Sequence, residues 1–192
     1  MMPDLLTTRL HLRPFLEEDL PSMFALYSDP AVMHFLPQYP FASMQATKEY
    51  LHEVIFRHYQ QQDAYYYALV RRTDNAWLGF IKVSNLGDSN DLGYALRQDF
   101  WRQGYLVEAG LALLAHLKTT PLPFLTATHD ILNPASGRVM QKLGMRYHYS
   151  YQEHLPIKQQ EVVFRLYQYN LQEDMPVYRT YADRFDSFVE SF

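Results

Sequence analysis

Two stretches, DLGYALRQDFWRQGYLVEAG (91–110) and NPASGRVMQKLGM (133–145), decide how this chain folds. In the first, a strand-like run breaks at Arg97-Gln98-Asp99, passes a lone glycine at Gly104 and becomes an amphipathic helix carrying Tyr105, Leu106, Leu111, Leu114 and Leu117. A strand, a turn and a helix N-terminus therefore follow one another directly. Unpaired backbone N–H groups and the positive end of a helix dipole converge at such a junction, which suits it to an anion, above all a pyrophosphate. The second stretch predicts a short helix opened at Asn133-Pro134 and closed by Leu143-Gly144, about one strand further along. Singly, a glycine between strand and helix is an ordinary tight turn, and Leu-Gly an ordinary helix stop. Their order and spacing carry the information.

Working outward, strands are predicted at about 64–71, 77–84 and 91–97, joined by the turn-prone Thr73-Asp74-Asn75 and Gly87-Asp88-Ser89-Asn90. Before this meander, Leu10, Leu12 and Pro14 alternate with His11 and Arg13 as a first strand. Glu17-Glu18-Asp19 opens a helix with Met23, Phe24, Leu26 and Tyr27 on its apolar face. Ser43 caps a second helix reaching about Gln62. After the helix at about 103–118, Pro121 and Pro123 force a break before a strand at 124–128; the short helix at 134–143 and strands near 145–153 and 161–170 follow. This is a mixed α/β order without repeat or linker, one domain over 1–171. Gly137 inside the short helix costs it about 1 kcal/mol relative to alanine, and no feature of the sequence accounts for it. In the tail, 172–192, Tyr178, Tyr181, Phe185, Phe188 and Phe192 recur at spacings of three and four, with Pro176 as an early helical residue. The expectation is an amphipathic helix whose aromatic stripe packs either on its own domain or on a twin subunit, as a homodimer.

Composition narrows the function classes. Charged residues at 20% and hydrophobic residues at 48% describe a globular chain, long enough to bury a real core. With no cysteine, disulfides, thiolate metal sites and catalytic cysteines are excluded. The net charge of −4 supplies no basic footprint for nucleic acid and mildly favours cationic partners such as amines. No window approaches a membrane span, and the N-terminus lacks a leader-like apolar run, so a cytoplasmic location is expected. The glycines are never spaced Gly-x-Gly, and there is no Gly-Lys-Ser/Thr, His-Glu-x-x-His or Gly-x-Ser-x-Gly. Dinucleotide, P-loop and metal chemistry are not expected.

The two opening stretches resemble the acyl-CoA-binding motifs of the GCN5-related N-acetyltransferases, in the branch whose members acetylate ribosomal-protein N-termini and small amines. Trp101, Gly104, Tyr105, Glu108 and Ala109 match the first motif; Arg102 stands where that branch has glycine and Leu106 where it has a small residue. Asn133, Ser136, Val139, Lys142, Leu143 and Gly144 match the second, with Met145 in the place of phenylalanine. The likeness runs from about residue 7 to about residue 171. It implies a mixed, mostly antiparallel sheet of about six to seven strands with helices on both faces. It also implies transfer of an acetyl group from acetyl-CoA, without metal, to a primary amine: a protein N-terminus or a small molecule.

The resemblance assigns roles residue by residue. Ala95, Leu96 and Arg97 lie beside the pantetheine and thioester, with the Leu96 N–H polarising the thioester carbonyl. The pyrophosphate sits on the N–H groups of Arg102, Gln103, Gly104, Tyr105, Leu106 and Val107; the Arg102 side chain either reaches a phosphate or is a plain exposed surface arginine. Asn133 either bonds the pantetheine arm or is a plain helix cap. Ser136 gives a proton to the departing thiolate, and Glu153 is the base, acting directly or through water. Any one of Tyr147, Tyr149 and Tyr151 either donates a proton or lines the cleft, His34 borders it, and Glu108 is structural. Two readings stand: an acyltransferase working in a ternary complex, or a non-catalytic acyl-CoA-binding or protein-interaction module of the same fold, to which Arg102 and Leu106 would be suited.

Overall fold

Strands that are apolar on both faces belong in the middle of a sheet with helices above and below. The computed structural model, which describes residues 2–156 and 158–191, is built on two such strands. β3 (Tyr65–Arg71) and β4 (Trp77–Ser84) are buried along nearly their whole length. Before them come β1 (Leu5–Leu6), β2 (Leu10–Arg13), α1 (Leu20–Tyr27) and α2 (Pro30–Met33). Then α3 (Met44–Tyr50) passes through a π-helical stretch (Leu51–Phe56) into α4 (Arg57–Gln61). Ser43 caps α3, its hydroxyl accepting from the Ala46 N–H at 3.1 Å. After the meander come β5 (Asp91–Leu96), α5 (Tyr105–Leu117), β6 (Phe124–Asp130), α6 (Pro134–Lys142), β7 (Arg146–Leu155), β8 (Gln160–Asn170), α7 (Thr180–Arg184) and β9 (Ser187–Phe188).

The nine strands of the described residues form one sheet in the order β1-β2-β3-β4-β5-β6-β8-β7-β9, antiparallel at every join except β5–β6. Six to seven strands were expected. The additional β1 and β9 are two-residue strands at the edges, too short to carry a period of two. On one face Met23, Leu26, Tyr27, Leu51 and Ile55 pack against Tyr66, Ala68 and Phe80. On the other, Ala109, Leu113, Leu117, Met140 and Leu143 pack against Leu69, Ile81, Leu92 and Leu125. Helices thus cover both faces, α1–α4 on one and α5–α6 on the other.

The tail departs from the expected helix. Only Thr180–Arg184 is helical, because side chains of the sheet take backbone groups a helix would need. Gln168, buried on β8, accepts from the Tyr178 N–H at 2.8 Å and donates to the Pro176 carbonyl at 2.9 Å. Tyr178, Tyr181 and Phe185 turn onto Tyr149, Tyr151 and Leu166 of the same chain. Phe188 is exposed on β9, which pairs with β7, and Phe192 lies outside the described residues. Beyond β9, Glu190 reaches the opposite face, where it accepts from the Ser150 hydroxyl and from Arg165 Nε at 2.9 Å and Nη2 at 2.5 Å. The tail is a strap wrapped around the β7 edge.

Candidate active site

Among the described residues, the sheet opens at the join between β5 and β6. These parallel neighbours share a single rung, Asp91 opposite Thr126, and diverge toward their C-terminal ends. The Arg97 N–H donates to the Leu78 carbonyl at 2.9 Å, and Leu96 stands opposite Gly79. Hydrogen-bonded and non-bonded pairs alternate in an antiparallel ladder, so Leu96 turns its N–H and C=O away from β4 and into the opening. Its carbonyl is taken by the Trp101 indole N–H at 2.8 Å, which leaves the N–H as the group offered there. Gly79 permits this approach of strands: a Cβ on it would lie 2.1 Å from the Ala95 carbonyl oxygen. Ala95 faces the α1–α4 side with Phe80, Leu96 the α5–α6 side.

Beyond Leu96 the chain makes a short 3-10 turn, Gln98–Phe100, and enters α5 through two left-handed residues, Arg102 at φ +60° and Gly104 at φ +80°. Arg102 thus adopts the conformation that glycine takes freely, a strain of roughly 1–2 kcal/mol for a residue with a Cβ. Gly104 has no side chain to cap α5, and the first intrahelical donor is the Glu108 N–H, to the Gly104 carbonyl at 3.1 Å. The N–H groups of Tyr105, Leu106 and Val107 are left for an outside acceptor. Leu106 and Val107 rest their side chains against the core, away from this backbone surface. Gln103 is fixed at both ends, its side chain donating to the Asp99 carbonyl at 2.8 Å and its own carbonyl accepting from Arg9 at 3.0 Å.

Glu108 is structural, as expected. Its carboxylate accepts from Thr7 Oγ1 at 2.5 Å, the Arg9 N–H at 2.8 Å and Arg9 Nε at 2.6 Å, tying α5 to the turn before β2. Burial would raise its pKa, but these hydrogen bonds outweigh it and hold the group below the usual range.

Across the opening, Asn133 caps α6: its side-chain oxygen accepts from the Ser136 N–H at 3.3 Å. The cap expected of Asn133 is thus formed. Ser136 is reached from the other arm by Tyr94 of β5, whose hydroxyl lies 3.0 Å from both the Ser136 carbonyl and its Oγ. Burial pushes the Tyr94 hydroxyl well above its ordinary range, so it remains a neutral phenol. Sequence reasoning missed Tyr94 because it alternates with Leu92 and Leu96 like any core residue. Gly137 also finds its reason here. A Cβ at this position would lie 2.5 Å from His129 Nε2, so the missing side chain lets α6 settle on the imidazole. His129 Nδ1–H donates to the Asp130 carbonyl at 2.8 Å, and Nε2 has no hydrogen-bond partner among the described residues.

The predicted residues therefore gather on two arms. Ala95, Leu96, Arg97 and the 102–107 turn stand on one, Asn133 and Ser136 on the other, and Tyr94 spans them. Glu153 is not brought to this point. Counting outward from the Asp91–Thr126 rung puts Leu96 level with Ile131, Val163 and Gln152, so Glu153 on β7 stands at the same height. Three strand spacings, about 14 Å, separate it from β5. Burial raises its carboxyl, and Arg184 opposes. Tyr149 and Tyr151 share its face, but Tyr147 falls on the other side of the sheet because a bulge follows it. His34 borders the α1–α4 side, its carbonyl accepting from Lys158 of the β7–β8 turn.

The Acetyltransferase (GNAT) domain pattern matches residues 9–146. The chain is 27% identical over 143 residues to the uncharacterized N-acetyltransferase YnaD of Bacillus subtilis (strain 168), a match covering 73% of this chain and 81% of that protein. Among solved structures, an acetyltransferase (GNAT family) from Bacillus anthracis superposes with a TM-score of 0.78 at 22% identity, over 89% of this chain and all (100%) of that one. RimL, the ribosomal L7/L12 alpha-N-protein acetyltransferase solved with coenzyme A, superposes at 0.76 and 21% identity, over 88% of this chain and 98% of its own. A motif match over most of the chain, on a sheet that opens between two parallel strands, makes this chain a member of the GNAT acetyltransferase family.

Proposed function

We propose that this chain transfers an acetyl group from acetyl-CoA directly to a primary amine, both substrates being bound together. The observation that carries the reading is the Leu96 N–H, turned into an opening whose two sides hold an anion-binding helix start and the Tyr94–Ser136 pair. The pyrophosphate would rest on the N–H groups of residues 102–107, with Arg102 near a phosphate. The pantetheine arm would then lie between β5 and β6, filling the place of the missing ladder.

In the reaction the amine nitrogen attacks the thioester carbonyl carbon, and the oxygen that becomes negative is held by the Leu96 N–H. The C–S bond then breaks. A free thiol has a pKa of about 8.5, so the departing thiolate needs only modest help, a proton from Ser136 Oγ, which Tyr94 orients and can resupply. Glu153 stands too far from Leu96 to touch the amine, so a proton reaches it only through water. A neutral amine gives an amide and CoA, and an acceptor that arrives as its ammonium ion releases one proton besides.

Two measurements test this. Calorimetric titration with acetyl-CoA is expected to give one-to-one binding that Gly104→Val weakens at least tenfold. Because the chain has no cysteine, a thiol reagent reports released CoA without background; Ser136→Ala is expected to slow its release about tenfold without abolishing it. Binding without CoA release from any of a broad amine panel would replace the enzyme by a non-catalytic acyl-CoA-binding module. No binding at all would remove both.

A further inference from the structure

The proposed reaction leaves unused a side chain that lies across the start of α5. Arg9 stands in the turn before β2, and its own backbone is fixed from two sides. Its carbonyl accepts from the Arg72 N–H at 2.9 Å, and its N–H donates to the Glu108 carboxylate at 2.8 Å. From this base the guanidinium spreads over the helix start. Nε donates to Glu108 at 2.6 Å, Nη1 donates to the Gln103 carbonyl at 3.0 Å, and Cζ lies 4.4 Å from the centre of the Tyr105 ring. Nη2 rests beside Gly104, 3.6 Å from the point where a Cβ would stand. One side chain thus touches Gln103, Gly104, Tyr105 and Glu108, in the segment on which the pyrophosphate is placed.

The contact with Gln103 sets a direction. The peptide joining Gln103 to Gly104 is planar and trans, so its C=O and N–H point to opposite sides. Holding the Gln103 carbonyl on Arg9 therefore turns the Gly104 N–H away from Arg9. Without that hold, the left-handed glycine on its far side would let this peptide rotate. Glu108 has the complementary task. Its two oxygens take the Arg9 N–H and Nε, which keeps the fork from swinging out and balances its charge. With its charge paired and Nη1 bonded to a carbonyl, Arg9 is set to shape the turn rather than to bind a phosphate itself. Resting on the acetyl-CoA reading, we propose that Arg9 is a positioning residue for the donor: clamped by Glu108, its guanidinium holds the Gln103–Gly104 peptide so that the Gly104 N–H faces the pyrophosphate. An amide already aimed spares the bound anion the cost of ordering the turn, which is how a residue that touches no ligand adds affinity.

The test is calorimetric titration of CoA into wild type, Arg9→Gln, Glu108→Gln and the double variant, with the glycine amides followed by heteronuclear NMR. Saturating CoA is expected to shift the Gly104 amide of the wild type. Each single variant should weaken CoA at least tenfold while the amides of Gly79 and Gly93, in the central strands, stay in place and report an intact fold. The double variant should bind within about threefold of the weaker single one, because both changes remove the same clamp. Glu108→Gln is decisive, since it removes a negative charge near the site of a polyanion. If Arg9 acted through its charge on the phosphate, that variant would bind CoA more tightly. Tighter or unchanged binding by Glu108→Gln, wild-type affinity in Arg9→Gln, losses that multiply in the double variant, or a Gly104 amide unmoved at saturation each overturns the proposal and leaves the donor site standing. Failure of the wild type itself to bind CoA would instead remove the acetyl-CoA reading, and the clamp's role with it.

Discussion

Gly137 and His129 show how one position can be set by a neighbour that the sequence does not reveal. The glycine lowers helix propensity by about 1 kcal/mol, so alanine there would ordinarily stabilise α6. Here a Cβ falls 2.5 Å from His129 Nε2 and 2.8 Å from Cε1, so the buried imidazole of this β6 residue would have to shift. Overpacking of this kind costs roughly 1–3 kcal/mol, which exceeds the propensity gain. Gly137→Ala is therefore expected to lower stability by about 1 kcal/mol, read as a reduced urea midpoint at unchanged m-value; a raised midpoint would show that the helix yields. Arg102 is the opposite case. It holds φ +60° with a full side chain, and glycine would relieve roughly 1–2 kcal/mol of strain against an entropic loss of about 0.4–1. Arg102→Gly is expected to leave stability equal or raise it by up to about 1 kcal/mol, yet to weaken acetyl-CoA binding several-fold through loss of the guanidinium. Tighter binding by the variant would mean that the side chain obstructs the phosphate site.

At the scale of elements, the meander β3–β5, the helix after Gly104 and the helix after Asn133 were legible, because each carries periodicity and a start or stop signal of its own. The turn at 102–107 that leads into α5 was legible for the same reason. What could not be read were features that exist only between elements. Tyr94 looks like a core residue until β5 and α6 are side by side. Glu153 seemed close to the reacting centre because it follows the second motif, and the sheet order then inserts β6 and β8 between it and β5. The opening itself follows from a single shared rung, which no local pattern encodes. It can be checked by amide hydrogen exchange. The Ala95 and Arg97 N–H groups face β4 and should be protected, while those of Tyr94 and Leu96 face the opening and should exchange at least tenfold faster. Acetyl-CoA is expected to slow Leu96 selectively. Equal protection of Leu96 and Ala95 in the free protein would mean that the opening is closed by other groups.

For the molecule as a whole, one rung between β5 and β6 makes two arms out of a nine-stranded sheet, and a few contacts hold those arms together. Tyr94 reaches Ser136 on one face; Tyr178 reaches Asp88 and Lys158 reaches His34 on the other. The strap that carries Tyr178 is fastened beyond β9 by Glu190, whose carboxylate takes Ser150 and Arg165 and whose N–H donates to the Tyr147 hydroxyl at 3.0 Å. The Arg165 hydrogen bond is the main reason that the Glu190 carboxyl sits below its ordinary 4.5, with Ser150 adding to it and burial opposing. A carboxyl depressed by folding contributes its full stability above the unfolded value and loses it as pH falls through the lower folded value, since the unfolded chain binds the proton first. Both partners are partly open to solvent, so the contribution is modest, about 1 kcal/mol. Glu190→Gln is accordingly expected to lower stability by about that amount at pH 7, with the difference from wild type shrinking below about pH 4.5 as the wild-type carboxyl is neutralised. The same variant should expose the strap to limited proteolysis between residues 172 and 191 well before the sheet unfolds. If the strap resists the protease in the variant as it does in the wild type, Gln168 and the aromatic pad alone are sufficient to hold it, and Glu190 is only a surface ion pair.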